Sequence, residues 1–255
     1  MTNIRIIPRL DIKGPNVVKG IHMEGLRVLG NPRELALKYT AQGADELVYM
    51  DIVASLYQRN LDFDLLKSVA DDIFIPITAG GGIRSVSDVR QALRAGADKV
   101  AINTYAIHHP ELIREAVEIF GAQCVVVSIE AKKIRENSWE AYTDGGRERT
   151  GIDAVDWARR AIAMGAGEIV LTSIDAEGTK TGFDIELIKA VTEFAPIPVI
   201  AHGGAKSPES IAKVIQEGKP DAIAFASILH YGDTTVKEIK NYLHEHLIPV
   251  RDTLL

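Results

Sequence analysis

The chain has 255 residues, 46% hydrophobic and 25% charged, with a net charge of −6. That length and apolar content suit one α/β barrel or two smaller domains, and the acidic balance disfavours a nucleic-acid partner. No run reaches the roughly 18 apolar residues of a membrane span, and the N-terminus has no cleavable signal pattern, so a cytoplasmic protein with no membrane partner is expected.

In chain order, strands are expected at Ile4–Asp11, Glu46–Ile52, Ile75–Ala79, Lys99–Asn103, Cys124–Glu130, Glu168–Ser173, Pro198–Ala201 and Ala222–Ala226. Amphipathic helical stretches lie between them at Arg33–Gln42, Val86–Ala95, Pro110–Phe120, Val155–Met164, Ile185–Phe194 and Pro208–Gly218. Strands alternating with helices predict a parallel sheet, and about eight of them close a barrel. The single cysteine, Cys124, cannot make an internal disulfide, which fits a reducing compartment, and its apolar run reads as core.

An internal repeat strengthens the barrel. Ile75-Pro76-Ile77-Thr78-Ala79-Gly80-Gly81-Gly82 recurs as Ile197-Pro198-Val199-Ile200-Ala201-His202-Gly203-Gly204. Asp98-Lys99-Val100-Ala101-Ile102-Asn103-Thr104 is answered by Asp221-Ala222-Ile223-Ala224-Phe225-Ala226-Ser227. The predicted fold is therefore a single (β/α)8 TIM barrel, residues 1–255, made of half-barrels at about 1–120 and 121–255.

The repeat marks two candidate phosphate cradles at the mouth. Gly81 and Gly82 with Asn103 and Thr104 form the first; Gly203 and Gly204 with Ala226 and Ser227 form the second, with Glu177 and Gly178 in a loop beside it. Glycines let backbone N–H groups approach an anion, and a helix N-terminus adds a favourable dipole. The same glycines could serve tight turns alone, but two matching copies point to an elongated ligand with a phosphate at each end. Asp11 ends the first strand and Glu130 the fifth, diametrically opposed in a closed barrel, so an acid–base pair is expected between the cradles. Either carboxylate could instead cap a loop or pair with Lys13 or Lys132. Asp51 is a plausible supporting acid, and Lys19 reads equally as a phosphate-seeking or a solvated loop lysine. No cofactor is expected, and no ligands gather in a metal pattern.

Leu10-Asp11, Val17-Val18-Lys19-Gly20, Gly80–Ile83, Gly96-Ala97-Asp98-Lys99, Ile102-Asn103-Thr104, Leu171–Asp175 and Gly178-Thr179 carry a family match. Through them the chain resembles the cyclase subunit of imidazole glycerol phosphate synthase, the HisF type, over essentially its whole length. The resemblance implies a lyase-type cyclase that takes ammonia from a HisH-like glutaminase subunit docked under the barrel and closes a ring on a bis-phosphorylated substrate. It implies Asp11 and Glu130 as the acid–base pair, a charged ammonia gate of Arg5, Glu46, Lys99 and Glu168 at the floor, and Asp98 at the partner interface. The gate residues also admit a purely stabilising reading, because the bottom face of such barrels serves stability.

Two departures from the family concern the active site itself: Arg9 stands in place of cysteine, and Glu130 in place of aspartate; His202 is a third change and Glu177, for aspartate, a mild one. Strand alternation puts Arg9 on the inward face one layer below Asp11. A buried guanidinium needs a carboxylate, for which Glu130 is the first candidate and Asp11 the second; pairing would hold Glu130 ionised. His202 adds a titratable group beside the second cradle. Arg9 with Glu130 looks like a paralogous branch associated with acetamidino groups on surface sugars, in which the barrel supplies ammonia to a separate sugar amidotransferase. The histidine-pathway cyclase and a non-catalytic ammonia conduit that activates the glutaminase are the alternatives.

Overall fold

The computed structural model describes residues 3–252; Met1 and Thr2, part of the N-terminal run read for a signal, lie outside them. The chain opens with β1 (Arg5–Lys13) and a hairpin of β2 (Asn16–Ile21) and β3 (Glu24–Gly30). Then come β4 (Leu47–Asp51), β5 (Ile77–Gly80), β6 (Lys99–Ile102) and β7 (Val125–Arg135). A second hairpin arm, β8 (Ser138–Thr143) and β9 (Glu148–Asp153), precedes β10 (Glu168–Ser173), β11 (Val199–His202) and β12 (Ala222–Phe225).

Parallel pairing runs β1-β4-β5-β6-β7-β10-β11-β12, and β12 pairs back to β1, so these strands close a (β/α)8 TIM barrel. The hairpins follow the first and fifth barrel strands, at equivalent places in the two halves. Neither was expected. Their outer strands, β3 and β9, hold glycines and exposed charged residues, so they lack the apolar run of a buried strand. Cys124 ends a single 3₁₀ turn before β7 and is only half-buried, which corrects its reading as a core strand residue.

Three aspartates just ahead of barrel strands have a mechanical role at the bottom of the barrel. Asp45, Asp98 and Asp221 each accept a hydrogen bond from the backbone N–H of a neighbouring strand, at Ile6 (2.8 Å), Ile77 (2.9 Å) and Val199 (2.9 Å). Each carboxylate fixes the register of two parallel strands where the ladder would leave an orphan donor. Among the described residues no helix is long and apolar enough to cross a membrane.

Candidate active site

Side chains inside the barrel stack in layers drawn from alternate strands. At the floor, Glu46, Lys99 and Glu168 share a layer with Ala222, whose small side chain leaves room for Arg5, its register partner. The four charged groups form a closed ring. Arg5 donates to Glu46 (2.8 Å) and Glu168 (2.5 Å), and Lys99 donates to the second oxygen of each, at 3.0 and 2.8 Å. The ring expected from the resemblance is thus assembled as a unit. Above it lies an apolar stretch of Ile7, Val48, Ala101, Val126, Val170, Ile200 and Ala224, interrupted by Thr78, whose buried Oγ1 has no hydrogen-bond partner.

Arg9 comes next, 1% exposed. Its Nε donates to Asp11 Oδ1 at 2.7 Å. The pairing expected first, with Glu130, is not made. Asp11 lies two residues along the same strand face, and β-strand alternation brings it directly over the guanidinium. Lys19, on β2, donates to Asp11 Oδ2 at 2.8 Å and also pairs with Glu177. Burial alone would raise the Asp11 carboxyl, but Arg9 and Lys19 outweigh it and hold the group well below the usual carboxylate range.

Lys19 is therefore buried between two carboxylates of the chain itself, neither the phosphate-seeking nor the solvated loop lysine expected. As a phosphate ligand Glu177 is corrected outright, since an ionised carboxylate only accepts and repels a phosphate. The Lys19–Glu177 pair docks the first hairpin on the loop after β10, helped by His22 N–H donating to Glu177 O at 2.8 Å. Gly178 belongs to the same dock, because a Cβ there would lie 2.3 Å from Gly20 O. His202 is buried within hydrogen-bond reach of Arg9 (3.4 Å) and Thr172 (3.1 Å). Burial, with Arg9 and Lys19 adding to it, lowers its basicity far enough to keep the ring neutral.

Glu130 faces the same space from β7 and accepts from Gly146 N–H at 2.8 Å. Burial is the leading influence, and it pushes the carboxyl up to about 7 against the pull of Arg9. The expectation that pairing with Arg9 would hold Glu130 ionised is overturned: Arg9 still lowers the carboxyl, but its direct bond goes to Asp11 and burial outweighs it. Glu130 and Ser128 open onto a cavity of about 270 Å³ that reaches Gly81, Gly82, Asn103 and Thr104. The first cradle and one carboxylate thus share a space. The second cradle, at Gly203, Gly204, Ala226 and Ser227, encloses only about 10 Å³.

Both cradles need their glycines for packing as well. Gly81 has φ +99°, and a Cβ there would lie 2.1 Å from Asp51 O; at Gly204 the figure is 2.0 Å from Gly182 O. Gly81→Ala is expected to cost about 3 kcal/mol or more through strain and overlap, read as a lower urea midpoint. Parental stability would remove this packing role. Asn103 donates to Tyr142 O at 3.4 Å, which leaves its buried Oδ1 without a partner. The expected donor group of Asn103 is thus already directed at a carbonyl of the second hairpin. Thr104 Oγ1 accepts from Asp144 N–H at 3.0 Å. Asp51 is held by Arg59 (2.7 Å) and by Val53 N–H (3.2 Å), a loop-organising position at the cavity wall. Asp98 is exposed at the bottom while capping β5.

Sequence reading missed Ser128, which alternation from Glu130 could have found. It also missed the Gly146 amide and Thr172, which only the folded hairpin and strand register reveal.

The profile of the family described as "Histidine biosynthesis protein" matches residues 5–235. The chain is also 62% identical over 204 residues to "Imidazole glycerol phosphate synthase subunit HisF" of Legionella pneumophila, a match covering 80% of this chain and 96% of that protein. With a closed barrel, a charged floor ring and the buried carboxylates of Asp11 and Glu130 already in place, these matches show that the chain belongs to the histidine biosynthesis protein family, in its HisF-type branch.

Proposed function

We propose that this chain is the ammonia-using cyclase subunit of imidazole glycerol phosphate synthase, a lyase-type enzyme working with a HisH-like glutaminase. The observation that carries the reading is its 62% identity to a HisF subunit across 96% of that protein. Ammonia released by the glutaminase under the barrel enters through the ring of Arg5, Glu46, Lys99 and Glu168. It travels the apolar bore to the mouth, where a substrate phosphorylated at both ends lies between the cradles. Glu130 exchanges protons with the closing ring, and Asp11 supplies a fixed negative charge opposite.

One combination of residues favours a second reading. Arg9, where the family carries cysteine, forms a buried ion pair with Asp11, and Glu130 stands where the family carries aspartate. These two departures suit the paralogous branch, which serves acetamidino modification of surface sugars through a separate sugar amidotransferase. The deciding experiment is rescue of a histidine auxotroph lacking its own cyclase. It is paired with turnover of the histidine-pathway substrate by the purified barrel in alkaline ammonium salt. Growth and turnover are expected. Failure of both, with glutaminase stimulation intact, would move the assignment to the sugar branch or to a non-catalytic conduit.

A further inference from the structure

The layer below the two mouth carboxylates consists of Arg9, Gly80, Ser128 and His202, by register across β1, β5, β7 and β11. Gly80 contributes no side chain and Ser128 a short one, so Arg9 and His202 are the bulky members of this layer. A guanidinium donates and never accepts. Its 3.4 Å approach to His202 Nδ1 therefore makes that nitrogen the acceptor and puts the ring proton on Nε2, 3.8 Å from Glu177 Oε2. Both oxygens of Asp11 are held by cations, Oδ1 by Arg9 and Oδ2 by Lys19. Glu130 differs: Oε2 takes the Gly146 N–H, and no ion pair reaches either oxygen among the described residues.

We propose that Arg9 is a positioning residue that fixes Asp11 as a permanent anion and reserves proton exchange at the mouth for Glu130. Two carboxylates occupying equivalent places in a two-fold repeat thereby take different work, one as anchor and one as acid–base group. A proton placed on Asp11 would have to displace Arg9 or Lys19 from a buried bond, whereas a proton on Glu130 disturbs no cation. The groups acting on Asp11 are Arg9 on its own strand, Lys19 on β2 and His202 on β11. His230, in the short helix after β12, also feels its charge. Those acting on Glu130 are Arg9 and Asp11 from β1, and Asp144 with the Gly146 amide from the turn between β8 and β9.

The work done at the mouth rests on the functional reading above; the division of protons does not, and can be measured without substrate. The full-length chain, labelled with ¹³C at Asp and Glu carboxyls, is titrated by NMR from about pH 4 to about pH 9, spanning ordinary carboxyl and histidine values. Asp11→Asn and Glu130→Gln assign the two signals. In the parent, Glu130 is expected to titrate near neutrality and Asp11 to stay silent. In Arg9→Met, Asp11 should gain a titration step within the range and the Glu130 midpoint should rise, since a nearby cation has gone. Arg9→Lys should restore the silence.

If Arg9→Met does not fold, Arg9→Gln, which keeps a donor for Asp11 without the charge, gives the same readout. Titration of Asp11 in the parent would overturn the proposal, as would its silence in both uncharged variants. Absence of turnover by the parent alongside the expected titrations would instead refute the cyclase reading alone.

Discussion

Glu130→Gln is expected to lower turnover by about 10²- to 10⁴-fold, the usual contribution of a positioned acid–base group, and to make the protein more stable in alkali. Burial raises the Glu130 carboxyl from 4.5 to about 7. The stability linked to a raised carboxyl is fully present below its unfolded value and is lost as pH climbs through its folded value. At about 1.4 kcal/mol per pH unit, ionising Glu130 inside the fold costs on the order of 3 kcal/mol by about pH 8.5. Glutamine never ionises, and its side-chain oxygen can still accept from Gly146 N–H. Urea unfolding at about pH 6 and about pH 8.5 separates the cases. The parent should lose stability between the two, and the variant should lose less. Equal losses would mean that Glu130 is already ionised at the lower pH. Asp11 has the opposite sign. Held down by Arg9 and Lys19, its contribution stands above the ordinary carboxylate range and is lost only as the solution becomes acid.

The barrel was legible because its strands are short apolar runs between polar helices, and because the two halves repeat. Strand Glu168–Ser173 and helix Pro208–Gly218 match their expected limits, the latter started by a Ser207 cap with proline in the first turn. Helix Val236–Glu245 went unread despite a capping box of Thr235 and Glu238, a signal visible in the residues themselves. Phe63–Ala70 was likewise missed, although Asp62 caps it. The hairpins were harder. Their inner strands bury Val17, Trp139 and Ala141 in the core, but the outer strands are exposed and held mainly by pairing, so neither hairpin shows a continuous apolar run.

The same distinction divides the site. Inward alternation placed Arg9 under Asp11 correctly, because that follows from one strand. The choice of partner for Arg9 depended on how two strands face each other and on where Lys19 falls once the hairpin folds back. Those distances have no sequence signal. Glu130 follows from the same placement: burial raises its carboxyl, and Arg9, bound directly to Asp11, lowers it too little to offset that.

Lys99→Met is expected to destabilise the fold and to disturb the passage of ammonia, and the two effects can be separated. In the floor ring all four carboxylate oxygens of Glu46 and Glu168 are used, one bond from Arg5 and one from Lys99 to each residue. Removing Lys99 leaves a net negative charge with two unpaired oxygens. Breaking a fully buried pair costs about 3–5 kcal/mol. The Arg5 and Lys99 side chains are 15% and 18% exposed, so partial screening should bring the loss to about 2–4 kcal/mol. A double variant, Arg5→Met with Glu168→Gln, removes one charge of each sign and should recover part of that loss. If the ring is only a plug for stability, product formed per glutamine hydrolysed in the glutaminase complex will track the folded fraction and return in the double variant. If the ring also closes the bore, that ratio should stay low in both variants while turnover with added ammonium salt persists, because opening the floor lets ammonia escape whatever the charge balance. A ratio unchanged from the parent in both folded variants would confine these residues to holding the barrel shut as structure.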